Sequence, residues 1–134
     1  MKKSITLFTI AIVFCLSIAS CVDRSQAIIQ AEVTASNLQC PQDLGDGLSL
    51  TKVEYEGRYV VHYYKGSDDI YSFSQDLVTD EMKNQIIQTL ELQAQLQPSV
   101  KKYIEALKKE NVGIIYHYNT SKSVMDVVIE ARDL

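Results

Sequence analysis

The chain is 134 residues long and acidic, with 17 aspartates and glutamates against 13 lysines and arginines and a formal net charge of −4. Its lysines are dispersed, so it lacks the basic footprint that nucleic acid or an anionic lipid surface requires. The length allows one domain and is too short for two with separate cores.

Met1 to Cys21 reads MKKSITLFTIAIVFCLSIASC. Lys2 and Lys3 precede an apolar run from Ile5 to Ile18, and small residues follow at Ala19 and Ser20. This is the layout of a secretory leader. The run is 14 residues long, short of the roughly 17 to 25 that span a bilayer as a helix. Ile18-Ala19-Ser20-Cys21 also resembles the bacterial lipoprotein signal, an aliphatic residue and two small ones before a cysteine. The resemblance implies that the Cys21 thiol is acylated and that cleavage makes Cys21 the first residue of the mature protein. It divides the chain into a signal peptide (1–20), a lipidated tether (21–24) and a single domain (25–134). A membrane contact through the N-terminal lipid follows, since several acyl chains together give stable anchoring. Val22, not aspartate, stands after the cysteine, and in the resembling lipoproteins this favours the outer membrane over the inner. The competing readings are an ordinary cut after Ala19 or Ser20 and a membrane-inserted helix. Without the leader, Lys2 and Lys3 are lost and the charge falls to about −6.

The mature part holds two cysteines, Cys21 and Cys40. With Cys21 acylated no intrachain disulfide can form; without acylation a Cys21–Cys40 bridge is conceivable. Cys40 as a nucleophile needs a histidine base, and both histidines, His62 and His117, fall in strand-like runs. A small buried hydrophobe is the expected role of Cys40.

Ala27, Ile28, Ala31, Ala35 and Leu38 recur at helical spacing and predict a helix over 25–38. Pro41 forbids its continuation, and Asp43-Leu44-Gly45-Asp46-Gly47 reads as a turn-forming connector. It is too short and too poor in oxygen ligands for a calcium loop. Period-two patterning then predicts strands over 48–55 and 58–64 about a turn at Glu56-Gly57, the second strand central in the sheet. A short third strand is expected at Ile70 to Phe73.

Thr79 to Leu96 forms the clearest helix, with Thr79 as cap, Asp80 and Glu81 in its first turn, and Met82, Ile86, Leu90 and Gln93 or Ala94 along one side. Pro98 interrupts, and Ser99 is expected to cap a further helix over 100–110 with Val100, Tyr103, Ile104 and Leu107 as its stripe. A second hairpin closes the chain, Ile114 to Tyr118 followed by Val124 to Ala131 about the turn Asn119 to Ser123. The expected fold is α+β: one antiparallel sheet of four to five strands with helices on one face, in the order α-β-β-β-α-α-β-β.

Eight tyrosines and no tryptophan set this chain apart, and most of the tyrosines fall in strands. Sheet packing accounts for such a bias. The functional reading places Tyr59, Tyr63, Tyr116 and Tyr118 together on a recognition face for a protein or glycan. No spacing of histidine and cysteine matches structural zinc, no cofactor loop is present, and no catalytic residue is nominated. Asn119-Thr120-Ser121 matches a glycosylation acceptor, which a bacterial leader makes irrelevant.

The run Leu38-Gln39-Cys40-Pro41, Leu50 to Glu56 and Val60-Val61, then two helices and a hairpin, resembles uncharacterised small lipoproteins of gut and oral Bacteroidetes. The resemblance implies a cell-envelope location and brings no catalytic residue. A small protein-binding or accessory module is therefore expected, with a periplasmic inhibitor or assembly factor, or a small hydrolase, as alternatives.

Overall fold

The computed structural model describes residues 24–134. The leader and Cys21 lie outside the described residues. The elements run α1 (Arg24–Leu38), β1 (Gln42–Gly45), β2 (Leu48–Glu56), β3 (Tyr59–Gly66), α2 (Asp80–Leu96), α3 (Pro98–Lys109), β4 (Gly113–Asn119) and β5 (Val124–Ile129). Short 3₁₀ turns at Gln75–Leu77 and Ala131–Asp133 complete them. This is an α+β fold in the expected order, with five strands arranged β1-β2-β3-β4-β5 and three helices on one face. No helix among the described residues is long and apolar enough to cross a membrane.

Two features depart from expectation. First, the sheet is mixed: β3 and β4 pair in parallel, while all other neighbours are antiparallel. Parallel neighbours need a long crossover, and the segment carrying α2 and α3 supplies it. Second, the strand expected at Ile70 to Phe73 is absent, and Gln42–Gly45 in the expected connector is β1 instead. The place beside β3 is taken by β4, so the later segment has no edge to join. It loops back, with the Ser67 amide donating to Gly47 O at 2.8 Å and the Phe73 amide donating to Ser123 Oγ at 3.0 Å.

The core lies between the sheet and helices α1 and α3. Ile29, Leu107, Ile114, Ile129, Val53, Val60 and Val127 are its largest fully buried side chains. Of the predicted α1 stripe, Ala31 and Ala35 are buried and Leu38 is 67% exposed, and Ile29 and Val33, outside that stripe, are buried as well. Asn37 at the end of α1 clamps β2, since its amide accepts from the Val53 N–H at 2.8 Å and donates to the Val53 carbonyl. The clamp sits just past a register shift between Leu50 and Lys52, where β2 has outrun its pairing with β1.

Thr79 caps α2, its hydroxyl accepting from the Met82 amide at 3.1 Å. The cap of α3 is Gln97, not Ser99, with Pro98 in the first turn. Proline suits that position because its missing N–H would have had no helical partner there. Tyr103 and Leu107 are buried as the stripe predicts, and Lys108 and Lys109 occupy the last turn.

Candidate functional site

Helix α2 is the anomaly of the fold. It has 17 residues and buries none of them fully, and Leu92 and Leu96 are 55% and 71% exposed. Met82, Ile86 and Leu90, the stripe legible in the sequence, are only partly buried against the core. Between this stripe and the sheet lies a cleft of about 580 Å³ whose floor is Tyr64, Tyr116, Tyr118, Met125 and Val127. Its size falls in the range of small-molecule sites, and its walls are mostly apolar with a few polar groups.

A second cavity adjoins the cleft. This chamber, of about 270 Å³, shares Tyr64, Leu90, Gln93 and Tyr116 with the first and adds Glu32, His62, Gln97 and Tyr103. Glu32 comes from α1, His62 from β3 and Tyr103 from α3, so three separate elements converge on it.

The floor is a row of aromatic rings. Tyr64 and Tyr118 stack with centroids 4.8 Å apart and planes 14° from parallel. His62 lies 5.3 Å from Tyr116, and Phe73 lies 5.4 Å from Tyr118 and stacks on Tyr71. The row depends on Gly66, because a Cβ there would stand 2.8 Å from the Tyr71 ring.

Burial sets the charge state of the inner chamber. The Glu32 carboxyl is pushed up to about 7 by desolvation, which outweighs the hydrogen bond that Ser36 Oγ donates to Oε1 at 3.2 Å. Glu32 Oε2 is buried and meets no hydrogen-bond partner among the described residues. Desolvation pushes His62 down to about 4, so its imidazole is neutral at physiological pH. Tyr64 is pushed up to about 12 and Tyr116 is raised as well, chiefly by burial. Among the described residues no lysine, arginine or aspartate lines either chamber.

The four tyrosines nominated from the sequence do not share a face. The parallel register pairs Tyr63 with His117 and Tyr64 with Tyr118. Tyr116 and Tyr118 therefore point toward the helices, while Tyr59 and Tyr63 stand on the opposite face. There Tyr59 donates to Glu130 at 3.0 Å, and Tyr63 donates to Glu56 at 2.9 Å with Lys52 Nζ 4.5 Å from its ring centroid. The two histidines are divided in the same way. His117 faces outward and its Nδ1 lies 2.6 Å from Asp126 Oδ1. Tyr64, Glu32, Gln93 and His62 were missed as a set; the stripe of α2 and the tyrosines of β3 and β4 were visible, but not their opposition across a gap.

Cys40 pairs with no other cysteine among the described residues, and burial raises its pKa. Its hydrogen bond goes to the Ser36 carbonyl at 3.3 Å, not to a histidine, and it lines neither chamber. No cluster of three or more metal-ligating side chains forms among the described residues.

No protein-family model matches the chain, and no curated protein matches it. A crystal structure of a Pseudomonas aeruginosa protein described as secreted superposes with a TM-score of 0.42 at 11% identity, covering 77% of this chain and 88% of that one. Likeness at that level transfers no residue role to this chain.

Proposed function

We propose that this chain is a small ligand-binding module of the bacterial cell envelope, held to the membrane, the outer rather than the inner, by a lipid on Cys21. Its ligand is a slender, mostly apolar molecule that enters between α2 and the tyrosine floor. The observation that carries this reading is the stand-off of α2: an apolar stripe faces an aromatic floor across about 580 Å³ without closing on it. A helix serving only the core would bury that stripe, because each fully buried Leu or Met side chain contributes about 1.5–3 kcal/mol. The division of the tyrosines between two faces favours the cleft over a tyrosine-rich docking surface for a protein.

The test uses the two methionines of the cleft, Met82 and Met125. The full-length chain carrying ¹³C-methyl methionine is titrated with 1-octanol, a neutral probe. Both methyl signals shift saturably, and Ile86→Trp, which fills the outer chamber, abolishes the shifts. Unmoved methyls at the solubility limit of octanol, or shifts that survive Ile86→Trp, would overturn the reading.

A further inference from the structure

We infer that the ligand of the cleft is an amphiphile with a cationic amine head, seated with its tail over Met125 and Val127 and its ammonium in the inner chamber beside Glu32. This inference rests on the cleft being a ligand site and adds the chemistry of the head. Among the described residues neither chamber is lined by a lysine or an arginine, so a carboxylate or phosphate head would be desolvated there without a counter-charge, a costly arrangement. Among the described residues the outer chamber carries no ionisable side chain except tyrosine, which leaves it suited to a tail.

The inner chamber has the opposite need. Its one acid, Glu32, has a buried oxygen without a hydrogen-bond partner among the described residues. Such a group carries a desolvation cost that a donor from a ligand would remove. An ammonium has three N–H donors and no acceptor. The chamber offers matching acceptors: the Glu32 carboxylate, the neutral imidazole of His62, and the amide oxygens of Gln93 and Gln97. Burial holds Glu32 at about 7 when the chamber has no cation in it; a neighbouring ammonium would favour its ionised form. The polar and titratable groups facing Glu32 supply no competing cation. Its own helix supplies Ser36, α3 supplies Tyr103, and the sheet supplies His62, Tyr64 and Tyr116, all uncharged at neutral pH.

The experiment compares three probes of equal tail length, octylamine, 1-octanol and octanoate, each below its micelle concentration. They are titrated into the full-length chain at pH 7.5 and read on the Met82 and Met125 methyl signals. Octylamine binds about tenfold or more tighter than octanol, as one charge-assisted hydrogen bond implies, and octanoate binds weakest. Glu32→Gln keeps the shape of the site and the acceptor for Ser36, and it brings octylamine to within about threefold of octanol. Octanoate binding as tightly as octylamine, or an amine preference that survives Glu32→Gln, overturns the headgroup assignment. Octanol binding without any amine preference overturns the headgroup and leaves the cleft reading standing. Methyl signals that no probe moves overturn both.

Discussion

Tyr64 of β3 and Tyr118 of β4 stack at 4.8 Å across the parallel seam of the sheet, and their rings form the middle of the cleft floor. The pair joins the first hairpin to the last. Replacing either ring with leucine removes the stack, and a double-mutant cycle of Tyr64→Leu and Tyr118→Leu returns a coupling of about 1 kcal/mol by urea denaturation. A coupling near zero would mean that the two rings pack independently and that the floor is not one unit.

The same seam has a steric limit at its start. A Cβ on Gly113 would lie 2.5 Å from the carbonyl oxygen of Ile129, in the paired strand β5. At Gly66 the obstacle is the Tyr71 ring at 2.8 Å, a side chain that can swing aside. Gly113→Ala therefore destabilises by about 2 kcal/mol or more and exceeds the cost of Gly66→Ala, because strand backbone cannot give way. Thermal or urea unfolding of the two variants checks the order. The reverse order would contradict the packing.

The edge of β5 is closed by a side chain. The Gln75 amide donates to Asp126 O at 2.8 Å and accepts from Asp126 N at 3.0 Å, in the manner of a neighbouring strand. Exposed edges invite pairing with another chain. Gln75→Ala costs about 1 kcal/mol and speeds hydrogen exchange at the Asp126 amide. Unchanged exchange there would show that the clamp does not protect the edge.

Glu32 and His62 give opposing pH dependences. The folded chain holds Glu32 protonated up to about 7, against an ordinary value of 4.5. Its contribution to stability is thus full below about pH 4.5 and is lost as the pH rises toward 7. His62 is held at about 4 against an ordinary 6.5, so the unfolded chain takes up a proton that the folded chain refuses. That contribution is lost as the pH falls from 6.5 toward 4. Relative to the wild-type chain, Glu32→Gln gains stability as the pH rises from 4.5 to 7, by on the order of 3 kcal/mol. His62→Gln gains it in the other direction, as the pH falls from 6.5 to 4. Urea midpoints at half-unit pH steps check both slopes, and a flat difference for either variant rules out its assignment.

The proposed lipid anchor on Cys21 is tested by fractionation and mass. Cys21→Ala moves the protein from the membrane fraction to the soluble one, and the N-terminal peptide of the wild-type chain carries the mass of acyl chains on Cys21. A wild-type N-terminal peptide without acyl mass would overturn the anchor.

Much of the fold was legible in the residues. Helix α2 showed in the Thr79 cap and the spacing of Met82, Ile86 and Leu90, and both hairpins showed in their period-two alternation. These are local signals, set by which side chains a helix or strand brings to one face. Strand β1 was hidden by Asp43, Gly45, Asp46 and Gly47, residues that also make turns, and it forms because β2 presents an open edge to it. The segment Ile70 to Phe73 has the composition of a strand and none of its pairing, because β4 occupies the neighbouring place.

The candidate site divides along the same line. The sequence by itself determined the chemical inventory: a tyrosine-rich pair of strands, an apolar stripe on α2, a thiol at Cys40, and no metal or cofactor motif. Only the tertiary structure decided which tyrosines stand together. Side chains alternate across a strand, so a one-residue change in the β3–β4 register would exchange faces for every ring on β4. That register is fixed by the α2–α3 crossover and the packing around Ile114, contacts between residues far apart in the chain. The same long-range packing brings Glu32, His62 and Tyr103 from three elements around one chamber, and no local pattern could place them there.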